Sequence, residues 1–331
     1  MAITAADVMK LRKMTSAGMM DCKHALEEAG GDFDKAVGII REKGKLVAAK
    51  RADRETSEGA VKARISGNKA ILVCLGCETD FVSRNADFQN LADAIADAAI
   101  ASCPADLEGL KACKMADGFT VEEAVEAQTG KTGEKHVLAY YACVEAPFVA
   151  QYVHTLNGKL GALVGFSKEV PADIAKGVVM QVASMNPVAI SAEQCPKDVV
   201  EEELKVAVEK TREELVRKAV DAALSKAGIN PAHVDSEDHI ESNTAKGWIT
   251  AEQAAKAREI IRTVGEQKTA SLPEQMVQNI ANGRLQKFFK EQTLEAQEYQ
   301  MADNHISVKE AIAAADKEAK VLVFKRFSLN D

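Results

Sequence analysis

The sequence predicts an α+β protein, and three patterns along its 331 residues favour this class. Three short segments with the apolar spacing of helices open the chain. A strand–turn–strand–helix pattern then occurs twice, with its two copies about 90 residues apart. A long charged stretch with helical spacing lies between the second copy and a strand near the end of the chain. Aromatic residues make up only 5% of the chain, so aliphatic residues must supply most of the core.

Residues 1–45 have the spacing of three short helices. Gly30-Gly31 is a helix-ending signal, and Asp32 can cap the helix that follows. We expect this third helix to end before Gly44, because glycine is a weak helix former that often follows a helix. Three helices of this length make a bundle with little core of its own.

Residues 46–58 predict an exposed linker. The segment has no apolar stripe. From Arg41 to Arg54 there are six basic and two acidic residues, which gives a local charge of +4. We therefore expect few contacts between the three helices and the rest of the chain.

Two regions of the sequence each predict a strand, a turn, a second strand and then a helix. The strands are at 60–65 and 69–75 in the first copy and at 149–154 and 159–166 in the second, with turns at Ser66-Gly67-Asn68 and Asn157-Gly158. The repetition predicts a duplicated core. Its first subdomain spans 59–140, and its second combines 141–197 with 284–331, including a strand at 321–327.

Residues 198–283 predict a helical hairpin that projects from the body. A heptad-like seam runs through its first half at Leu204, Val208, Thr211 and Leu215. Thr250 and Gln253 form a capping box for the returning helix. The segment 233–246 between the two helices is polar and predicts a turn.

Charge, apolar runs and cysteines restrict the class of protein. The formal net charge of −8 argues against a nonspecific nucleic-acid coat, which needs excess cation to release counterions from phosphate. No apolar run approaches the roughly 20 residues of a membrane-spanning helix. Residues 1–7 lack a signal-peptide pattern. Seven scattered cysteines are typical of a reducing compartment. We therefore expect a cytoplasmic protein that binds neither membrane nor nucleic acid directly.

No motif predicts an enzyme active site, and we expect no catalytic residue, metal ligand or cofactor. Cys74 and Cys77 have redox-pair spacing, but Cys74 falls inside a predicted strand, which favours buried thiols. Gly130-Lys131-Thr132 resembles the end of a phosphate loop, yet Val125 stands where that loop requires glycine. We therefore expect no direct nucleotide binding. The histidines show no metal-binding spacing, and residues 233–239 predict a solvated loop.

Thr79-Asp80-Phe81-Val82 is the segment that stands out. A Phe beside an Asp, in a loop that leaves a strand of an aromatic-poor chain, is a candidate protruding anchor. The alternative is that the Phe81 side chain folds back under the loop as part of the core.

Two motifs resemble the translation elongation factor Ts family, the guanine-nucleotide exchange factors of elongation factor Tu. The first is the segment 11–26, LRKMTSAGMMDCKHAL, and the second is the segment 77–82, CETDFV. The resemblance implies a ubiquitin-associated-like fold for the N-terminal bundle, two core subdomains, and a projecting coiled coil. The hairpin is longer than in shorter members of the family. The chain ends at Leu329-Asn330-Asp331, so we expect no counterpart of the helical C-terminal module of some members.

The resemblance also implies roles for individual residues. The loop matching Thr79–Val82 enters the GTPase near its magnesium site, where Phe81 wedges into an apolar pocket and dislodges the ion, so that GDP leaves and GTP enters. The implied partner-binding residues are Arg12, Met19, Met20, Lys23 and His154. For Met19 and Met20 the alternative is a place in the core of the bundle.

Two other function classes remain open from the sequence. The N-terminal bundle could serve as an adapter that binds a ubiquitin-type module or a nascent chain, with the rest of the chain as scaffold. A thiol oxidoreductase could use Cys74 and Cys77.

Overall fold

The computed structural model describes residues 3–15, 17–156, 158–302 and 305–331. The helices are α1 (Ala5–Thr15), α2 (Met19–Glu28), α3 (Phe33–Lys50), α4 (Asp80–Ser83), α5 (Ala86–Ser102), α6 (Leu107–Ala112), α7 (Val121–Thr132), α8 (Ala172–Met185), α9 (Lys197–Lys226), α10 (Glu237–Ala245), α11 (Ala251–Ser271), α12 (Glu274–Gln292) and α13 (Val308–Ala315). The strands are β1 (Glu58–Ser66), β2 (Lys69–Cys77), β3 (His136–Glu145), β4 (Phe148–Val153), β5 (Leu160–Phe166) and β6 (Val321–Ser328). The predicted α+β class is therefore confirmed.

The chain divides into two compact units. The first combines Met1–Ile190 with Gln297–Asp331, and the second is Ser191–Ala296. The first unit contains the three N-terminal helices and both sheets, whereas the second contains only helices. In the described part of the chain, no helix is both long and apolar enough to cross a membrane.

The N-terminal helices α1, α2 and α3 enclose a small apolar core. Leu11, Cys22, Leu26 and Ala36 are fully buried in it. The carboxylate of Asp32 caps α3 by accepting hydrogen bonds from the amides of the second and third residues that follow it, at 3.0 and 3.1 Å. This cap was expected from the sequence and fixes the start of the longest N-terminal helix.

The third helix does not end before Gly44 but continues to Lys50, so the first part of the predicted linker is helical. The physical reason is that α3 packs against α7. A Cβ built on Gly130 would lie only 2.9 Å from the Cα of Gly44, so the two glycines let the helix backbones touch. Beside this crossing, Arg41 pairs with Glu123 at 3.4 Å and lies 4.6 Å from the ring centroid of Phe119. The expectation of few contacts between the bundle and the body is therefore wrong.

Two three-stranded antiparallel sheets form the body of the first unit, with strand orders β1-β2-β3 and β4-β5-β6. Each predicted hairpin gains one strand. The strand β6 matches the predicted strand at 321–327, whereas β3 has no counterpart in the predictions, because most of its side chains are half-buried and show no alternation. In the second predicted turn, Asn157-Gly158, residue Asn157 lies outside the described residues.

The strand β2 is buried almost throughout because it has covered faces on both sides. One face packs with α5, where Phe88 and Ile95 are fully buried. The other face lies against the second sheet, where Leu72 packs in one cluster with Leu163 of β5. This double burial makes the end of β2 a rigid base for the segment that follows it.

The second unit is built from α9, α10, α11 and α12. A single hairpin of two helices was expected, but α9 packs against both α11 and α12. The segment 233–246, predicted to be a turn, contains the helix α10. Its Ile240 is buried, and Asn243 Nδ2 donates to the carbonyl of His233 at 2.9 Å. The buried Ile240 and this hydrogen bond explain why a polar segment folds here. The helix α12 also runs through residue 283, the predicted end of the hairpin.

Candidate functional site

The segment that leaves β2 forms a single helical turn instead of the predicted loop. We call residues 79–83, which comprise α4 and its cap, the Phe81 turn. Thr79 is the cap, and its Oγ1 accepts a hydrogen bond from the amide of Val82 at 3.5 Å. At the other end, the carbonyl of Ser83 accepts from Gln89 Nε2 at 2.6 Å. The turn is therefore tied to the body at its end by a side chain of α5.

Phe81 points away from the protein, and its side chain is 85% exposed. Val82, the next residue, packs against the cluster between α5 and β2. Successive side chains of a helical turn are about 100° apart, so burying Val82 turns Phe81 outward. The alternative in which Phe81 is part of the core is therefore wrong.

Asp80 and Arg84 flank Phe81 on the surface. Their side chains form an ion pair at 3.3 Å, with the Arg84 side chain 81% exposed. An exposed pair four residues apart on a helix contributes little to stability. The pair is therefore free to exchange its partners when another protein approaches.

Phe81 lies beside a groove of about 1320 Å³ that is lined by β1, α4, β4 and the turn after β4. Leu156, in that turn, also lines the groove and is 91% exposed. Leu156 is not among the residues expected from the sequence, although an apolar residue in a polar turn before Gly158 is a signal that could have found it. The groove thus has two strongly exposed apolar side chains among its lining residues.

Two cations of the groove, Lys62 and Arg64 on β1, are already paired with carboxylates of α5. Lys62 Nζ and Arg64 Nη2 contact the Asp93 carboxylate at 2.8 and 2.7 Å, and Arg64 Nε donates to Asp97 at 2.8 Å. Burial acts to raise the pKa of Asp93, but the hydrogen bonds from Lys62 and Arg64 hold that pKa below its ordinary value. The charges of this part of the groove therefore satisfy one another, which leaves its exposed apolar residues available to a partner.

Four of the five predicted partner-binding residues are exposed, and the fifth is half-buried. Met19 and Met20, at the start of α2, are 53% and 58% exposed, so the alternative that both belong to the bundle core is wrong. Arg12 on α1 and Lys23 on α2 are exposed as well. His154 is half-buried at the end of β4 and lines the same groove as Phe81. The structure thus brings His154 near the Phe81 turn and places the other four on the N-terminal helices.

The remaining sequence motifs have structural roles. Burial raises the pKa of both Cys74 and Cys77 to about 12, so these thiols stay protonated and unreactive at neutral pH. Gly130-Lys131-Thr132 closes the helix α7, whose end is capped by Gly133 with a φ of 72°. The described residues include no cluster of His, Cys, Asp and Glu that could hold a metal ion.

Comparison with known proteins gives full-length similarities. The family model described as Elongation factor TS matches residues 78–331. The chain is 55% identical over 329 residues to Elongation factor Ts of Bacteroides thetaiotaomicron and to that of Bacteroides fragilis, and each match covers 99% of both chains. It is 36% identical over 330 residues to Elongation factor Ts of Porphyromonas gingivalis, which covers 100% of this chain and 99% of the relative.

The family model begins at residue 78, immediately before the Phe81 turn, and the full-length relatives also include the N-terminal helices. The matches to the full-length relatives therefore cover the exposed Phe81, the groove and both sheets. Members of the elongation factor Ts family exchange the nucleotide of elongation factor Tu in translation, and they act as exchange factors and not as enzymes. The chain belongs to the elongation factor Ts family.

Proposed function

We propose that this chain binds the GDP form of elongation factor Tu and inserts Phe81 near the magnesium site of the GTPase. The wedge shifts elements that hold the ion, magnesium is dislodged, GDP loses its charge-neutralising metal, and GTP enters. The observation that carries this proposal is the 85% exposure of Phe81 on a turn that is held at its ends. Thr79 and Val82 hold the wedge in place, and Asp80 orients it or pairs at its edge.

The other regions supply binding surface in this proposal. The ubiquitin-associated-like bundle of residues 1–45 grips the GTPase domain through Arg12, Met19, Met20 and Lys23. In the duplicated core, the first subdomain (59–140) carries the wedge, and the second (141–197 and 284–331) holds another domain of the partner through His154. Residues 46–58, of which 46–50 belong to α3, join the bundle to the core, and residues 198–283 supply the coiled coil that the family resemblance implies. The exposure of Met19 and Met20 supports the role of the bundle.

Thermodynamic linkage sets how much Phe81 can do. If binding of the factor weakens the affinity of the GTPase for GDP by some factor, binding of GDP weakens the affinity of the GTPase for the exchange factor by the same amount. Each tenfold weakening of the affinity for GDP needs about 1.4 kcal/mol of factor-binding free energy that is lost when GDP is bound. Burying one Phe supplies roughly 1.5–3 kcal/mol, which corresponds to one or two tenfold steps. A larger acceleration therefore needs the extended contact surface as well.

The experiment is the release of fluorescent GDP from elongation factor Tu with and without this chain. We expect Phe81→Ala to slow release by roughly ten- to hundred-fold at equal factor concentration, with the melting temperature unchanged. Leu322→Ala, which truncates a half-exposed apolar side chain on β6, is the matched control and should leave release unchanged. The proposal fails if Phe81→Ala exchanges GDP as fast as the native chain.

A pull-down separates this function from that of an adapter module. An exchange factor retains the nucleotide-free GTPase and releases it when GDP is added, because the two ligands weaken each other. An adapter that used only the N-terminal bundle would retain its partner whether or not GDP was present.

A further inference from the structure

The Phe81 turn cannot hold its own shape. A helix of four residues has barely one turn, and fixing the first turn of a helix costs more free energy than its hydrogen bonds return. The direction of the Phe81 side chain must therefore be fixed by contacts from outside the turn. Val82 packs against the body on one side of the turn, and Gln89 holds its end. The contacts at the start of the turn are made by Thr79.

Glu134 makes the contact that covers both donors of Thr79. The amide of Thr79 donates to Glu134 Oε2 at 3.2 Å, and Thr79 Oγ1 donates to the same carboxylate, at 2.8 Å from Oε1 and 3.1 Å from Oε2. Hydrogen bonds to an ionised carboxylate are stronger than those between neutral groups. Because Thr79 Oγ1 also accepts from the amide of Val82, the carboxylate orients the hydroxyl that caps α4. We call this contact the Thr79 clamp.

A second contact beside the clamp fixes Glu134 in turn. The carboxylate of Glu78 accepts from the amide of Lys135 at 2.6 Å and from Arg51 Nη1 at 2.9 Å. The hydrogen bond from the Lys135 amide is the largest contribution that lowers the pKa of Glu78 below its ordinary value, so Glu78 remains charged. Two carboxylates therefore join these segments: Glu134 accepts from Thr79, and Glu78 accepts from Lys135. Arg51 links the end of α3 to Glu78.

We propose that Glu134 is a positioning residue: by holding both donors of Thr79, its carboxylate fixes the direction in which Phe81 leaves the surface. The proposal rests on the proposed function of Phe81 as the wedge. Glu134 itself does not touch the GTPase in this account and acts only through Phe81. Its loss should therefore lower the rate of GDP release at saturating factor more than it weakens binding of the factor.

The test measures GDP release from elongation factor Tu as a function of factor concentration for Glu134→Ala, Glu134→Gln and Thr79→Val. We expect Glu134→Ala to lower the maximal rate about tenfold, because a released turn spends most of its time in unproductive orientations. The half-saturating concentration should change less than about twofold. Glu134→Gln keeps one acceptor oxygen and should recover part of the rate, whereas Thr79→Val removes the hydroxyl from the other side of the clamp and should resemble Glu134→Ala.

The decisive comparison repeats Glu134→Ala in the Phe81→Ala background. If Glu134 acts only by aiming Phe81, its substitution has no further effect once the ring is absent. Glu145→Ala is the control at the opposite end of β3, where Glu145 accepts from Asn68 Nδ2 at 3.0 Å, and it should leave exchange unchanged.

Three results would overturn the inference. The first is a Glu134→Ala variant with the native maximal rate. The second is that Glu134→Ala lowers the maximal rate by the same fraction in the native chain and in the Phe81→Ala background. That result would indicate a general loss of folded protein, which thermal unfolding would detect. The third is a loss confined to the half-saturating concentration, which would place Glu134 at the interface. Failure of the proposed function is distinguishable, because in that case the Phe81→Ala variant by itself would exchange GDP as fast as the native chain.

Discussion

Phe81 and Val82 are neighbours in the chain but have opposite environments. Val82 contributes to the apolar cluster under α5, and Phe81 is among the most exposed apolar side chains of the described residues. An exposed Phe gains nothing from the hydrophobic effect in the free protein, so its burial free energy remains available for a complex. The rigid end of β2 and the Thr79 clamp present it in one orientation, which reduces the entropy lost on binding.

His136 provides a pH-dependent test of the base of the Phe81 turn. Its side chain is 93% buried (7% exposed), its Nδ1 lies 2.9 Å from the carbonyl of Glu134, and its Nε2 has no hydrogen-bond partner among the described residues. A carbonyl only accepts, so Nδ1 carries the proton and Nε2 is the atom that would be protonated in acid. Burial lowers the pKa of His136, although Glu134 and Glu78 act in the opposite direction.

The lowered pKa predicts a loss of stability in acid. Below about pH 6.5 the unfolded chain binds a proton at this histidine that the folded chain does not yet bind. The free energy of unfolding should therefore fall as the pH drops below about 6.5, by at most about 1.4 kcal/mol per pH unit from this group. Urea unfolding at about pH 7.5 and about pH 5.5 measures the fall, and His136→Asn should reduce it. An equal fall in both proteins would contradict the assignment.

At the scale of the elements, the crossing of α3 and α7 decides how the N-terminal helices join the body. Glycine inside a helix normally destabilises it by roughly 0.5–1 kcal/mol relative to alanine, so two glycines at one crossing need a compensating gain. That gain is the close approach of the backbones, with the Cβ position of Gly44 lying 3.2 Å from the carbonyl oxygen of Glu126. Neither helix could carry a side chain here without separating from the other.

We therefore predict opposite effects for two glycine substitutions. Gly130→Ala places a methyl group 2.9 Å from the Cα of Gly44, and the overpacking should outweigh the gain in helix propensity by about 1–2 kcal/mol. Gly38→Ala, on α3 with open space around its Cβ position, is the control and should stabilise the protein by roughly 0.5–1 kcal/mol. Thermal unfolding measures both. A Gly130→Ala variant that is stabilised as much as Gly38→Ala would show that the helices are not in contact.

The elements that could be predicted from the sequence are those whose signals are local. The hairpins β1–β2 and β4–β5 follow from apolar runs around turns, and the end of α8 follows from Asn186, which adopts a φ of 44° before Pro187. The continuation of α3 past Gly44 could not be predicted, because Gly44 resembles a helix end until the α7 backbone lies against it. The same holds for the contact that fixes the start of the Phe81 turn, since Glu134 lies 55 positions beyond Thr79.

At the scale of the whole molecule, the site combines contributions that no single stretch of sequence contains. The Phe81 turn follows β2, its clamp lies between α7 and β3, and Leu156 reaches the same groove from the turn after β4. Sequence motifs identified Phe81 and the family, whereas the role of Glu134 became visible only through its tertiary contact with Thr79. Leu156 left a local signal in the sequence, but only the structure places it at the same groove as Phe81.

The central claim is that Phe81 accelerates exchange by loosening the magnesium ion of the GTPase. If this is correct, removing magnesium does in advance the step that the factor performs. Chelation alone should then speed the spontaneous release of GDP, and the further acceleration by the factor should shrink. Asp80→Asn should matter less than Phe81→Ala, because the exposed Asp80–Arg84 pair contributes little.

The most direct measurement is GDP release from elongation factor Tu in four conditions: with and without this chain, and with magnesium or with a chelator. We predict a large acceleration by the factor in magnesium and a much smaller one in chelator, with Phe81→Ala reducing the first far more than the second. An acceleration of the same size in both ionic conditions would contradict the account, because loss of the metal and action of the factor would then be independent.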